Sequence, residues 1–398
     1  MMNKIIIFLV LITLSSQLMP QGTEPFIQKV LENHPGIIAE KKLLISREAE
    51  SHTGYTPPDP NISLGYFPGL PREIGEKITW SVSQTLDFPA RYRRLKTLGR
   101  NNYEQSIMEY HNTVLALLSD ARIRAIELIA LRKKVETTEE RLEHIRQMEE
   151  AYKKMLDEGE VTIIDYNKIM LTGAGLKNTL LEYRSREDAL LAFLNMVSGN
   201  KAWLLDNSGY PLFEEPEPES LLEEKRAMHP AFTIPEKEIE IAANRVDVVK
   251  TESMPGFQLG FASEIVAASE FTGPSLGISI PLWENKGRIA AEKAKISHYE
   301  AEYNKIMLVY ENEFRTQYAR YLSVKSGLYE LRSAYSESAS KDLLNKSLEE
   351  GEISIIDYFT ELSAFYNIED RIIELEKEYY ILLSDLYDHF PGLIIPQN

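Results

Sequence analysis

An eight-residue segment that occurs twice is the feature that most constrains the fold of this chain. The first copy, at residues 159–166, reads GEVTIIDY, and the second, at residues 351–358, reads GEISIIDY. Each copy follows a long helix-forming stretch and precedes a shorter one. Glycine permits the left-handed turn that ends a helix, and the hydroxyl of Thr162 or Ser354 can cap the next helix. The pattern predicts two helical hairpins with one copy at each tip. The alternative is that each copy is a turn with no function beyond reversing the chain direction.

The rest of the chain repeats around these two segments. A His-Pro pair at residues 34–35 matches one at 229–230, and Pro60 and Pro255 each lie 25 residues beyond the proline of their pair. The order in each half is helix, two strands, long helix, tip and helix. We therefore predict a two-fold internal repeat, with its boundaries at residues 24–209 for the first repeat, 210–220 for a Pro- and Glu-rich linker, and 221–392 for the second repeat.

Long helices follow from the spacing of the apolar residues. From Ala90 to Asp157 the chain has no proline and only one glycine, Gly99, and apolar residues recur at steps of three and four. At 1.5 Å per residue such a helix would be roughly 100 Å long, which implies coiled-coil-like packing. Further helices are predicted from residue 26 to about 51, from the first tip to about 197, over 287–350, and from 354 to about 389.

Four short segments alternate between apolar and polar residues. In the first of them Ile62, Leu64 and Tyr66 share one face, and small or polar residues occupy the other. A soluble sheet packed on a core and a membrane sheet with a polar lumen both fit this pattern, but the flanking helices are too long to fold back as a cover. Four strands cannot close a barrel, so a membrane sheet needs several chains. The predicted strands are at about residues 60–67, 77–87, 256–263 and 274–283.

Aromatic residues lie near the ends of these segments. Tyr66, Trp80, Phe261 and Trp283 would suit the aromatic belt that membrane strands carry at the lipid interface. Ordinary aromatic residues of an edge strand are an equally good reading of the same positions.

Composition excludes several classes of function. The net charge of −17 disfavours a nucleic-acid partner, and the absence of cysteine excludes disulfides and thiol catalysis. There is no phosphate-binding loop, no metalloprotease motif and no nucleophile elbow, and the seven histidines lack ligand spacing. We therefore predict no enzyme activity, no cofactor and no metal site.

The N-terminus is typical of a secretory signal. Lys4 precedes a ten-residue apolar run at residues 5–14, and Ser15-Ser16-Gln17 follows it. A membrane-spanning helix needs about 20 residues, so an uncleaved anchor is the weaker reading. The prediction is a signal peptide over residues 1–17 and a protein that leaves the cytoplasm.

Several motifs in this order resemble the TolC-type outer-membrane efflux proteins. They are the Pro-Asp-Pro start of the first strand at residues 58–65, Ser83-Gln84, the segment from Ile280 to Arg288, and the two tips. The resemblance implies a homotrimer in which each chain gives four strands to a twelve-stranded outer-membrane barrel and the helices form a periplasmic tunnel. It also implies passive export of small molecules or metal cations, with a periplasmic adaptor and an inner-membrane pump, of the RND type, as partners. The His-Pro and Pro-Asp-Pro segments look most like the heavy-metal cation subgroup.

The resemblance also suggests roles for individual residues at the tips. It implies adaptor contact at Gly159, Glu160, Thr162, Gly351, Glu352 and Ser354. It implies a tunnel-entrance gate at Asp165, Asp357 and Tyr358. The chain departs from the family at two points: it has Thr360 where some members carry a second Asp, and it lacks the lipidated cysteine of many metal-type relatives.

A second hypothesis belongs to another class of protein. The same hairpins and strands could form a soluble periplasmic coiled-coil scaffold or adaptor, with the strands in a small sheet. Such adaptors usually combine one hairpin with additional β domains, whereas this chain repeats the whole pattern.

Overall fold

Helices make up most of the chain in the structure, a computed structural model that describes residues 22–206, 208–266, 269–283, 285–337 and 341–388. The predicted signal peptide, residues 1–17, lies outside these ranges. The helices are α1 Glu24–Asn33, α2 Pro35–Ser51, α3 Pro89–Glu158, α4 Ile163–Ser198, α5 Pro218–Met228, α6 Pro230–Glu252, α7 Arg288–Glu337, α8 Lys341–Glu349 and α9 Ile355–Leu386. The strands are β1 Asn61–Pro68, β2 Glu76–Leu86, β3 Gly256–Val266 and β4 Ser269–Ser279. Within the described ranges, no helix is both long and apolar enough to cross a membrane.

The chain divides into two compact units. We call the first the helical unit, and it comprises Met1–Ile38, Thr113–Glu223 and Glu311–Asn398. The second, the sheet unit, comprises Ala39–Asn112 and Glu224–Tyr310. Helix α3, which is 70 residues long, contributes residues to both units. Its predicted bounds, Ala90 to Asp157, each differ from the observed ones by a single residue.

The predicted first helix is in fact two helices. Helix α1 ends at Asn33, and His34 has extended backbone angles of φ −61° and ψ 121° before α2 begins at Pro35. A residue before proline is pushed out of the helical region because the proline ring crowds it. The His34 imidazole then caps α2, since its Nδ1 accepts a hydrogen bond from the Gly36 N–H at 3.0 Å. The second His-Pro pair is built alike, with His229 Nδ1 accepting from the Ala231 N–H at 3.0 Å.

The strands form one antiparallel sheet in the order β1-β2-β3-β4. The register places Leu64 beside Trp80, Val82 beside Phe261, and Leu259 beside Leu276, so most of the apolar residues of the four strands share one face. The opposite face carries small and polar pairs such as Ser63 beside Ser81, whose hydroxyl oxygens lie 2.8 Å apart. The predicted alternation is therefore present in the sheet.

Strand β4 differs from the prediction of residues 274–283. It begins at Ser269 and ends at Ser279, so the segment from Ile280 to Trp283 lies beyond the strand. The predicted strand started at Pro274, but Pro274 lies inside the ladder, where it pairs with Phe261. An edge strand tolerates proline because the missing N–H costs no bond on its free side.

The predicted linker is packed rather than free. Two stacked aromatic pairs hold it against α9 and the residue that follows α9, with Tyr210 against Tyr380 at 4.3 Å and Phe213 against Tyr387 at 5.6 Å between ring centroids. Pro211 and Pro216 are buried. The Pro- and Glu-rich composition concealed these contacts, because the aromatic residues stand apart from each other in the sequence.

One carboxylate joins the starts of both long helices in the sheet unit. Glu252, at the end of α6, lies 3.5 Å from Arg91 of α3 and 2.6 Å from Arg288 of α7. Arg91 also pairs with Asp87 at 3.0 Å. These ion pairs fix the two helix starts directly below the sheet.

Gly99 allows the close approach of α3 to the end of α2. A Cβ built on Gly99 would lie 2.7 Å from the Ser51 carbonyl oxygen, whereas a Cβ on Gly175 of α4 would meet nothing within 4 Å. Alanine favours a helix over glycine by about 1 kcal/mol. We expect Gly175→Ala to raise the free energy of unfolding by about 1 kcal/mol and Gly99→Ala to lower it, as measured by urea unfolding followed by circular dichroism. A stabilised Gly99→Ala variant would contradict the close contact.

Candidate functional site: the hairpin tips

Both tips begin with the same helix-ending turn. Gly159 and Gly351 have positive φ values of 79° and 73°, which a side chain would strain. The N–H of Glu160 donates to the Met155 carbonyl at 2.8 Å, and the N–H of Glu352 donates to the Ser347 carbonyl at 2.9 Å. These bonds across the turn satisfy carbonyl groups that the helix end leaves free. The glycine of each octapeptide is therefore required by the backbone.

The next helix begins with a reciprocal cap. Thr162 Oγ1 accepts a hydrogen bond from the Asp165 N–H at 3.2 Å, and Asp165 Oδ2 accepts from the Thr162 N–H at 3.0 Å. In the second tip Ser354 Oγ accepts from the Asp357 N–H at 3.2 Å and donates to Asp357 Oδ2 at 2.6 Å. Each carboxylate thus lies at a helix N-terminus, where negative charge is favourable. Both carboxylates have the turn-capping role that the plain-turn alternative requires.

The tips also present isoleucine side chains to solvent. Ile164 is 70% exposed, and Ile163 and Ile356 are more than half exposed, whereas Ile355 is buried. Large apolar side chains on a protruding turn favour contact with another protein. Sequence reasoning missed these residues because isoleucine in a helical pattern is normally assigned to the core.

The structure brings the two hairpins together in one core. It joins Ile145, Met148 and Ile169 of the first hairpin to residues of the second hairpin, namely Ile355, Tyr358, Phe359 and Leu362. Tyr358 is fully buried there, whereas its counterpart Tyr166 is only half-buried. Of the three residues predicted to form the entrance gate, Tyr358 therefore lies inside the chain, and Asp165 and Asp357 lie at the tip surface.

A hydrogen-bonded chain runs through this core. The Tyr358 hydroxyl donates to Asn345 Oδ1 at 2.7 Å, so its oxygen accepts from His144 Nε2, also at 2.7 Å. Burial raises the pKa of Tyr358, which stays protonated. Burial also lowers the pKa of His144, and the nearby Lys341 ammonium lowers it further. Only the fold reveals this partner of His144, because Tyr358 lies 214 residues away in the chain.

Buried ion pairs link the same two hairpins slightly further from the tips. Arg141 of α3 donates to Glu369 Oε2 at 2.9 Å and to both Asp370 oxygens at 2.9 and 3.2 Å. Burial opposes the charge of Arg141, but these bonds keep its pKa above the ordinary value. Glu369 also accepts bonds from Lys341 and Tyr335, which together with Arg141 hold its pKa below the ordinary value despite burial. Removing one partner of such a network is strongly destabilising.

The predicted belt residues all lie in the sheet unit. Tyr66, Trp80 and Phe261 sit on strands, and the Trp80 and Phe261 rings are 5.9 Å apart. The Tyr66 hydroxyl donates to Glu76 Oε2 at 2.9 Å. Trp283 is 79% exposed in the segment between β4 and α7, outside the strand that the sequence predicted for it.

No group of three or more possible metal ligands occurs within the described ranges. At the tips Asp165 and Asp357 are used as caps, and Glu369 and Asp370 of the hairpin core face arginine and lysine.

We expect His144 to make stability depend on pH. Its pKa is below the ordinary value of 6.5 in the folded chain, so the unfolded chain binds the proton more readily. The contribution of neutral His144 to the free energy of unfolding is fully present above about pH 6.5, and it declines as the pH falls towards the folded-state pKa. His144→Gln keeps a donor for Tyr358 without titrating, so between about pH 7 and about pH 5 its free energy of unfolding should fall less than that of the wild type.

Urea unfolding at several pH values measures this difference. Burial likewise lowers the pKa of His34 and His111, but both are present in each protein and cancel in the comparison. Parallel pH profiles for the two proteins would contradict the assignment to His144.

Comparison with known proteins identifies the fold. No protein-family model and no curated protein matches the chain. Three solved structures that match are CusC, described in terms of transmembrane channel formation, VceC, an outer-membrane protein of Vibrio cholerae, and the outer-membrane channel OprN. Their TM-scores are 0.75, 0.74 and 0.76, at sequence identities of 12%, 14% and 14%.

The alignments extend over nearly the whole length of each protein. They cover 92%, 92% and 93% of this chain and 91%, 94% and 89% of CusC, VceC and OprN, respectively. None of the three is described as an enzyme. The chain therefore has the fold of outer-membrane channel proteins, as the resemblance in its sequence implied.

Proposed function

We propose that this protein is the outer-membrane channel of a three-part export system. Three copies would assemble a twelve-stranded barrel, and the hairpins of the helical unit would form a tunnel in the periplasm. The channel would passively export small molecules or metal cations, received from an inner-membrane pump through a periplasmic adaptor. The observation that carries this proposal is the apolar face of the sheet.

That face is exposed in the single chain. Leu64 is 80% exposed, Ile62 is 72% exposed and Leu276 is 70% exposed, and all three lie on the same side. Burying apolar surface contributes roughly 25 cal/mol per Å², and a contiguous exposed patch normally marks an interface. Hydrocarbon is the environment that suits such a face while the opposite, polar face borders water.

The edges of the sheet support assembly from several copies. Strands β1 and β4 each pair on one side only within the described chain. An unpaired edge in lipid leaves backbone groups without partners, which is prohibitive, so β4 of one copy would pair with β1 of the next. Three copies follow from the family resemblance and supply twelve strands.

The tips are the proposed contact with the adaptor. Gly159 and Gly351 shape the turns, and Glu160, Thr162, Glu352 and Ser354 surround the exposed isoleucines. An apolar centre with a polar rim is typical of a protein interface. Asp165 and Asp357 would form the gate at the tunnel entrance, where equivalent carboxylates of three copies approach each other and attract cations.

The oligomeric state tests the proposal directly. Purified full-length protein should require detergent and should migrate as a trimer in analytical ultracentrifugation. A monomer that stays soluble without detergent would overturn the proposal and favour the periplasmic scaffold or adaptor.

The entrance carboxylates yield a separate prediction. Asp357→Asn and Asp165→Asn keep an oxygen acceptor for the cap but remove the charge. In planar bilayers the double variant should show a lower preference for cations over anions, by roughly twofold or more, because the fixed negative charge at the constriction is lost.

Two other tip carboxylates provide the matched control. Asp157 and Glu349 are exposed and each lies two residues before a tip glycine. Asp157→Asn with Glu349→Gln removes the same charge and should leave the cation preference close to that of the wild type. If both double variants change the cation preference equally, or if neither changes it, Asp165 and Asp357 act only as turn caps.

A further inference from the structure

Positive charge is concentrated just below the sheet in a chain whose net charge is −17. Residues 87–100, at the start of α3, contain five basic residues and one acidic residue. Residues 284–295, which include the start of α7, contain four basic and two acidic residues. The two segments together therefore have a net charge of +6, whereas the rest of the chain is strongly acidic.

Five of these nine basic residues have carboxylate partners. Besides Arg91 and Arg288, they are Arg94 with Asp247 at 3.2 Å, Arg100 with Glu104 at 2.8 Å, and Lys295 with Glu292 at 2.8 Å. The remaining four are exposed and have no carboxylate partner among the described residues. We call them the basic collar, and its members are Arg93, Lys96, Lys286 and Lys293.

The basic collar draws on both halves of the chain. Lys96 lies five residues after Arg91, and Lys293 lies five residues after Arg288, so the two lysines hold equivalent places on the long helices. At 1.5 Å per residue both are within about 11 Å of the start of their helix. Arg93 lies on the same helical stripe as Lys96, three residues apart.

An exposed apolar and aromatic segment separates the basic collar from β4. Ile280, Leu282 and Trp283 are all more than 60% exposed, and the Lys286 N–H donates to the Trp283 carbonyl at 3.1 Å. Moving from the sheet to the helices, the surface changes from aliphatic to aromatic to basic. Hydrocarbon, interfacial and headgroup layers of a bilayer match this order.

We propose that the basic collar binds the phosphate groups of anionic phospholipids in the leaflet nearest the helices. The inference rests on the proposed membrane location of the sheet, and adds to it a preference for lipid charge. Lysine and arginine near a membrane surface gain attraction to anionic lipid, and the side chains of the basic collar are exposed to solvent, where lipid headgroups can reach them. The bound lipid would fix the depth of the sheet in the bilayer.

The experiment compares retained lipid with bulk lipid. The full chain is reconstituted into vesicles of phosphatidylcholine alone, or with about one third phosphatidylglycerol. Flotation first reports insertion, and native mass spectrometry after mild delipidation then reports which lipids remain bound. The wild type should insert into both vesicles and retain phosphatidylglycerol about fivefold or more above its share of the bilayer.

Two variants with the same change in charge locate the effect. Arg93→Gln, Lys96→Gln, Lys286→Gln and Lys293→Gln together should reduce the enrichment to the bulk ratio. The control removes four exposed lysines of the first hairpin, with the substitutions Lys153→Gln, Lys154→Gln, Lys168→Gln and Lys177→Gln. That control should keep the enrichment of the wild type.

The outcomes separate this inference from the proposed function. Failure of the wild type to insert into either vesicle would overturn both. Insertion into both vesicles with phosphatidylglycerol retained only at its bulk ratio would overturn the lipid site and leave the channel in place. Equal loss of phosphatidylglycerol enrichment in both variants would also overturn the lipid site.

Discussion

The exposed apolar face of the four-stranded sheet is the constraint on which the rest of the molecule depends. Four strands cannot bury that face against themselves, and the flanking elements of the sheet unit do not cover it. In the proposed channel, lipid would cover this face and further copies of the chain would pair with both edges. The register reinforces this requirement, because it aligns the apolar residues of both halves on one side. Within the sheet unit, Glu252 then holds the starts of both long helices below the strands.

In the helical unit, by contrast, polar side chains of the two hairpins bond to each other. Arg141, His144 and Tyr358 connect the two hairpins through ion pairs and hydrogen bonds, while apolar side chains fill the space between them. Polar networks of this kind specify one arrangement of neighbouring helices more strictly than apolar packing does, because a shifted register would leave buried groups unpaired. The tips are thereby held as a pair, and their exposed isoleucines remain available to a partner.

Local patterns predicted most of the fold. Alternation identified all four strands, and the absence of proline identified α3 to within one residue at each end. Errors arose where distant contacts decide the outcome. Strand β4 begins at Ser269, five residues before its predicted start at Pro274, and the linker contacts Tyr380 and Tyr387, which lie far away in the chain. At the tips, the glycine turns and the capping residues could be predicted from the sequence. The burial of Tyr358 and the partner of His144 could not, because they depend on the packing of one hairpin against the other.

The central pairing of the sheet joins β2 of the first half to β3 of the second, with Leu86 beside Phe257. About 170 residues separate these partners along the chain, and closing so long a loop carries a large entropic cost before any contact forms. Contacts between distant segments also slow folding. The β2 edge of the β1–β2 hairpin consequently stays unpaired until the second half arrives. Topology thus constrains the order of assembly: each helical hairpin can form from residues that are near in the chain, whereas the complete sheet and the core between the two hairpins must wait for the second half of the chain.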